Sequence, residues 1–435
     1  MSDFTHLLVA TCHPTTRNIP ADVRRIAQHS LLDWISVLVG GLDQPVTSLT
    51  LQEALDNGSP PLSTIPGLHQ RVSLRDAARI NGIASHALDF DDTHLPSRVH
   101  PSTPLWPAIL AQAEALECTG RHAIDAFVAG VELQSRLAAA FGESHYALGW
   151  HNTATLGTFG AAYASGILLK LNQQQLVTAL GIAASFSSGP RLQFGSDAKA
   201  LQCGSAAANG LHAARLAQRG LTAHPAVFDQ VSGFSELVAS SAVRNIDRER
   251  WYTRDIVYKF HASCYGTQAP IVAAQAINPE SLHQGPIRIW IEPQYLSVCN
   301  IAVPQTVNEA RFSVRHMVAM ALLERDTVSE TGLARSLKDD RVAELRERIL
   351  VEGDSDLARA SARVLFSDGF TSRVALNKPE RNHELQFARL KQKSSRLMAG
   401  TFSGEKITQI HQRIAQFDYE RSVASFCECL IPHIR

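Results

Sequence analysis

The 435 residues are 45% hydrophobic and 19% charged, enough to bury a large core, and their number favours two domains over one. Forty-one basic residues balance 41 acidic ones, which removes any overall electrostatic draw towards nucleic acid or an anionic membrane and leaves a small molecule as the expected partner. Seven scattered cysteines without a CxxC pair exclude a zinc ribbon and a disulfide scaffold and read as reduced thiols of a cytoplasmic protein. The opening MSDFTHLLVATCHPTTRNIP has no basic region followed by a long apolar stretch, and no window of about 20 uninterrupted apolar residues occurs, so a soluble, unexported chain is expected.

In chain order, Pro20-Ala21-Asp22 opens a helix with proline and an acid in its first turn. Ile26, Leu31, Leu32, Ile35 and Leu38 then recur at helical spacing until Gly40-Gly41. Segments 107–116, 123–140, 157–171 and 175–185 repeat the pattern. The small-residue runs at 161–166 and 204–210 let helices approach closely. Beyond about residue 255, Ile287 to Ile291 alternates as a half-buried strand does. Segments 362–366 and 371–374 flank Asp368-Gly369 as a hairpin, with helices at 317–323 and 342–349. The last segments, 384–398 and 405–417, are helical again. The fold class is therefore mainly α: a large all-helical domain over 1–256, completed by 383–435, and a smaller α+β lid domain over 257–382.

Six polar clusters stand out against this apolar background. Asp89, Asp91 and Asp92 crowd three carboxylates into four residues, so a cation, a raised pKa or a hydrogen-bonded role must relieve their repulsion. Either Asp91 or Asp92 alone also reads as a helix or turn cap. Paired aspartates can hold magnesium, as in DxDD cyclases, but 7% aromatic residues is too few for a cation-guiding terpene pocket. His100 follows a polar turn, and His151 precedes the helix launched by Asn152-Thr153, where the positive end of the helix favours a neutral imidazole and so a base. Any one histidine among 18 is more often a surface or core residue than a catalyst. Arg191 and Lys199 bracket Phe194-Gly195-Ser196 and read either as a dicarboxylate cradle or as two solvated cations. Lys259, His261, Arg315 and His316 would close a cleft from the smaller domain.

Taken together, HALDFDDTH, HPSTPLWPAILAQAEA, GWHNTATLGTFGAA, GIAASFSSG, FGSDAKALQCGSAAANG, KFHASCYGT and EARFSVRH resemble the MmgE/PrpD family, in order from about residue 20 to 400. That family holds 2-methylcitrate dehydratase, cis-aconitate decarboxylase and iminodisuccinate epimerase. The resemblance implies a helical domain with a lid, a homodimer, no metal or organic cofactor, and a small carboxylic acid as substrate. It implies catalytic or binding roles for Asp89, Thr93, His100, His151 and Lys199, places the lid's lysine and histidine near Lys259 and His261, and sets His316 where a relative has tyrosine. Two departures stand out. Lys199-Ala200-Leu201-Gln202 replaces the family's frequent lysine-proline-leucine-histidine, and Arg191 stands where decarboxylase-like members carry an apolar residue.

The expected function is a cofactor-independent lyase that moves a proton next to a carboxylate, foremost a dehydratase of the 2-methylcitrate type. An iminodisuccinate-type epimerase, a cis-aconitate-type decarboxylase and an inactive carboxylate-binding protein are the alternatives. In this scheme His151 or His100 is the base or acid, Lys199 and Arg191 bind carboxylates, and Asp89 with Thr93 orients a histidine or the substrate.

Overall fold

The computed structural model describes residues 4–229, 232–239, 246–277 and 285–432. Helix Ala21–Gly40 follows Pro20 and buries Leu31, Leu32, Trp34, Ile35 and Leu38. It packs on Leu74–His86 and on the returning C-terminal helix His383–Met398. It also packs on Ser102–Ala115 and Gly120–Ala147, which pack in turn on Asn152–Leu168, while Ala198–Gln218 lies against Asn152–Leu168 and Leu74–His86. No helix among the described residues is long and apolar enough to cross a membrane.

Helix Ser102–Ala115 begins five residues earlier than the 107–116 expected and carries Pro107 inside it. An interior proline loses one hydrogen bond and crowds the preceding turn, a cost of about 3 kcal/mol. Every residue from Ser102 to Glu114 is buried, so packing outweighs that cost.

The smaller unit is a four-stranded sheet in the order Ile349–Gly353, Ile287–Ile291, Ser361–Leu365, Thr371–Ala375. The hairpin turns at Gly369, whose φ of +90° suits glycine. The strand Ile349–Gly353 takes Ile349 from the end of the helix expected over 342–349. That helix stops at Glu347 and the chain runs parallel beside Ile287–Ile291, a pairing that apolar periodicity alone does not reveal. Ile287, Ile289 and Ile291 face the core, which helices Tyr265–Ala274 and Val314–Leu322 share. A short ladder joins Thr93–His94 to Ile256–Val257, tying the acidic loop to the junction between the two units.

One crossing positions the site. A Cβ on Gly82 would lie 2.7 Å from the Cα of Gly204, and one on Gly204 only 2.2 Å from the Arg79 carbonyl oxygen. Helices Leu74–His86 and Ala198–Gln218 therefore touch backbone to backbone. His86 lies four residues after Gly82 and Lys199 five before Gly204, so the antiparallel crossing delivers the two side chains to each other. Gly204→Ala should force this contact apart and lower unfolding free energy by about 1–3 kcal/mol in urea titration. An unchanged midpoint would contradict the close crossing.

Candidate active site

A cavity of about 640 Å³, counting its mouth, lies where the two units meet. Asp89, Thr93, His100, His151 and Lys199 reach it from the helical unit, and Cys264, Tyr295 and Phe312 from the other side.

The acidic loop is organised by hydrogen bonds rather than by mutual repulsion. Asp89 sits at φ +47°, a left-handed conformation uncommon outside glycine, and its Oδ1 accepts from Lys199 Nζ and Lys259 Nζ, each at 2.9 Å. Lys259 also donates to the Asp89 carbonyl at 2.7 Å. Burial opposes ionisation of Asp89, yet the two ammoniums hold its pKa well below the usual carboxylate range. Lys199 in turn keeps its charge: burial works against it, but the surrounding groups, Asp89 foremost among them, together raise its pKa.

Lys199 donates to His86 Nε2 at 2.7 Å as well. That bond makes Nε2 the acceptor, so the His86 ring proton sits on Nδ1 and donates to Asp91 Oδ2 at 2.9 Å. Burial lowers the His86 pKa to about 4 despite Asp91, which keeps the ring neutral. Asp91 also accepts from the Thr103 hydroxyl at 2.7 Å and lies 3.3 Å from His100 Nδ1. Asp91 thus holds the histidines, while Asp89, expected with Thr93 to orient a histidine or the substrate, holds two lysines. His100 Nδ1 donates to the Asp92 carbonyl at 2.8 Å, with the Thr93 hydroxyl 3.4 Å away. In the neutral ring this leaves the lone pair on Nε2.

His151 occupies the N-cap position of helix Asn152–Leu168. Its Nδ1 lies 2.8 Å from Gln202 Oε1, and its buried Nε2 has no hydrogen-bond partner among the described residues. The Phe194 ring meets it edge-on, centroids 4.9 Å apart. Burial, and after it the Lys199 ammonium, hold the His151 pKa well below the ordinary histidine value. This is a neutral imidazole with an open lone pair at the wall of a cavity.

The remaining expected residues stand elsewhere. Lys259 is fully buried behind Asp89, serving as its counter-ion rather than as part of the cavity wall. His261 turns to Thr327, with Nδ1 2.7 Å from its hydroxyl, and His316 Nε2 lies 2.8 Å from the Ser336 hydroxyl within the core of the smaller unit. Neither ring lines the cavity. Arg191 stacks on Tyr146 at 4.1 Å and borders the cavity through that ring. Residues that sequence reasoning passed over complete the wall. Arg98 and Arg359 both reach Glu143, at 2.7 and 2.9 Å, and Arg98 stacks on Tyr146 at 4.5 Å. The left-handed φ of +54° at Arg98 has no sequence signature, since that conformation is usually marked by glycine.

Among the described residues, two donor sets are compact enough for a metal ion: His86 with Asp89, Asp91 and His100, and His86 with His151 and Cys203. In both, His86 Nε2 already accepts from Lys199, and in the first, Asp89 already accepts from two ammoniums. A divalent cation would have to displace those charges, so we assign no metal to either set.

Asp92 behaves differently from its neighbours. Its oxygens accept from the Ser102 amide and hydroxyl at 3.1 and 2.6 Å, while burial, followed by Asp33, pushes its pKa up to about 8. A carboxyl raised on folding contributes stability that is complete below its unfolded pKa, near 4, and is lost as pH rises towards 8. Asp92→Asn removes that loss. Its melting temperature should exceed the parent's by a margin that widens from pH 5 to pH 8; a constant margin would contradict the assignment.

Comparison with known proteins gives two family matches in chain order. Residues 9–246 match the MmgE/PrpD N-terminal domain and residues 261–416 the MmgE/PrpD C-terminal domain. The chain is 28% identical over 354 residues to the cis-aconitate decarboxylase of Mus musculus, covering 76% of this chain and 72% of that protein. With the Homo sapiens protein of the same name the identity is 28% over 300 residues, 64% of this chain and 62% of that one. The Aspergillus terreus protein of that name is 25% identical over 403 residues, 84% and 82% of the two chains. With both family domains matched in order across most of its length, the protein belongs to the MmgE/PrpD family.

Proposed function

We propose that this protein is a lyase acting on a small di- or tricarboxylic acid, with His151 Nε2 as the base that removes a proton from the carbon next to a carboxylate. The observation that carries the reading is an unpartnered, buried Nε2 on a histidine that lines the same cavity as a charged lysine. Two of the three Lys199 N–H bonds are used by Asp89 and His86, which leaves the third for a substrate oxygen. Arg98 and Arg359 supply cationic charge elsewhere along the wall.

In a dehydration, His151 takes the α-proton, the carbon–oxygen bond at the neighbouring carbon breaks, and Lys199 protonates the departing hydroxide. The products are an unsaturated acid and water, and both side chains recover their protonation from solvent. Lys199, facing the carboxylate, stabilises the negative charge that builds on it. A histidine held neutral keeps its lone pair free to accept a proton at neutral pH.

Decarboxylation is the second reading, favoured by the names of the relatives. It needs an acid to protonate carbon after carbon dioxide leaves, and Lys199 would supply it. Incubating the protein with citrate, methylcitrate, cis-aconitate, tartrate and iminodisuccinate, with NMR detection of products, separates the cases. An unsaturated acid with water supports dehydration, released bicarbonate supports decarboxylation, and isotope exchange without net loss supports epimerisation. Inertness towards every acid, with binding retained, would instead favour a carboxylate-binding protein. Dimerisation, checked by sedimentation, completes the proposal.

A further inference from the structure

We infer that Gln202 is a positioning residue that fixes His151, a residue of the cavity wall, in the tautomer with its proton on Nδ1 and a bare Nε2. The inference rests on the reading of His151 as the base. The geometry permits one assignment. Gln202 Nε2 lies 3.0 Å from the Pro190 carbonyl, which can only accept, so the amide nitrogen must face Pro190 and the amide oxygen must face His151. An oxygen at 2.8 Å from Nδ1 demands a proton there, and a neutral imidazole carries one proton only.

The relay is anchored at both ends. The His151 amide donates to the Gly189 carbonyl at 2.9 Å, and Trp150 pairs with Pro190, so the segment that holds Gln202 also holds the backbone of His151. Gly189 has φ +135°, and a Cβ there would lie 2.7 Å from the Ala154 Cβ and 3.2 Å from Gln202 Cδ. Glycine at 189 is what lets the amide lie against the ring.

Gln202 also decides which protonation state the relay supports. Around His151 stand the Lys199 ammonium and the His86 and His100 rings, all of which disfavour a second positive charge, with Phe194 edge-on. A neutral amide offers no charge in return. A carboxylate at 202 would stabilise the imidazolium, and a histidine there could donate as well as accept and would leave the tautomer open.

The test uses the full-length protein labelled with 15N-histidine, with His151 assigned by its absence in His151→Asn. In the parent, the ring shifts should report a proton on Nδ1 and a bare Nε2. Gln202→Glu should raise the protonation midpoint of His151 by at least one pH unit, a tenfold gain in proton affinity, and Gln202→Leu should lose the single-tautomer signature. Thermal unfolding of each variant checks that the fold is intact. A parent ring protonated on Nε2, or a midpoint unmoved in Gln202→Glu, overturns the inference. Should His151→Asn keep parental turnover, the base assignment fails by itself; should His151 be required yet indifferent to Gln202, only the present inference fails.

Discussion

Asp89→Ala should lower the unfolding free energy by about 3–5 kcal/mol, because it strands two ammoniums in a buried site. Lys199 Nζ and Lys259 Nζ both rest on Asp89 Oδ1 at 2.9 Å, and Lys259 is wholly shielded from water. Removing the carboxylate leaves the desolvation of both cations without its compensation. The direct control is Asp89→Ala combined with Lys259→Met, which removes one stranded charge and should recover part of the loss. Equal stability of the single and double variants in urea titration would contradict the counter-ion role. The same substitution should abolish turnover, since Lys199 loses the partner that aims it.

His151→Asn should lower turnover by about 10²–10⁴-fold, the range typical of a general base, with the fold intact. His100→Asn should have an effect of the same order, because its ring lines the same cavity and carries its lone pair on Nε2 when neutral. By contrast, His261→Asn and His316→Asn should leave turnover within a fewfold of the parent, since those rings bond to Thr327 and Ser336 outside the cavity. A large loss in either of the latter pair would contradict the placement of the site.

Much of the fold was legible because apolar spacing is a local signal. Ala21–Gly40 begins and ends at the proline, acid and glycines that mark it, and the 361–375 hairpin follows from Asp368-Gly369. The exceptions are non-local. Pro107 stays inside a helix because burial along its length outweighs a lost hydrogen bond, and Ile349–Gly353 is a strand because Ile287–Ile291 lies beside it.

The site divides along the same line. Asp89, Thr93, His100, His151 and Lys199 could be singled out as clusters of chemistry-bearing residues, and all five meet in one cavity. What sequence did not disclose was which carboxylate serves which cation. Asp89 and Asp91 are two residues apart and look alike in sequence; only the turn at Asp89 sends one to the lysines and the other to the histidines. His86, four residues past a glycine crossing, gave no signal beyond its neighbours. Arg98 and Arg359 are 261 positions apart and converge on Glu143 only in the folded chain.

The most direct measurement is deuterium incorporation. Parent and His151→Asn proteins are incubated in deuterated water with the panel of di- and tricarboxylic acids, and the hydrogen next to each carboxylate is followed by NMR. The account predicts that the parent exchanges or eliminates at that position in at least one acid, and that the variant does so at least a hundredfold more slowly. Equal rates in the two proteins, or no reaction of any acid with the parent, would contradict it.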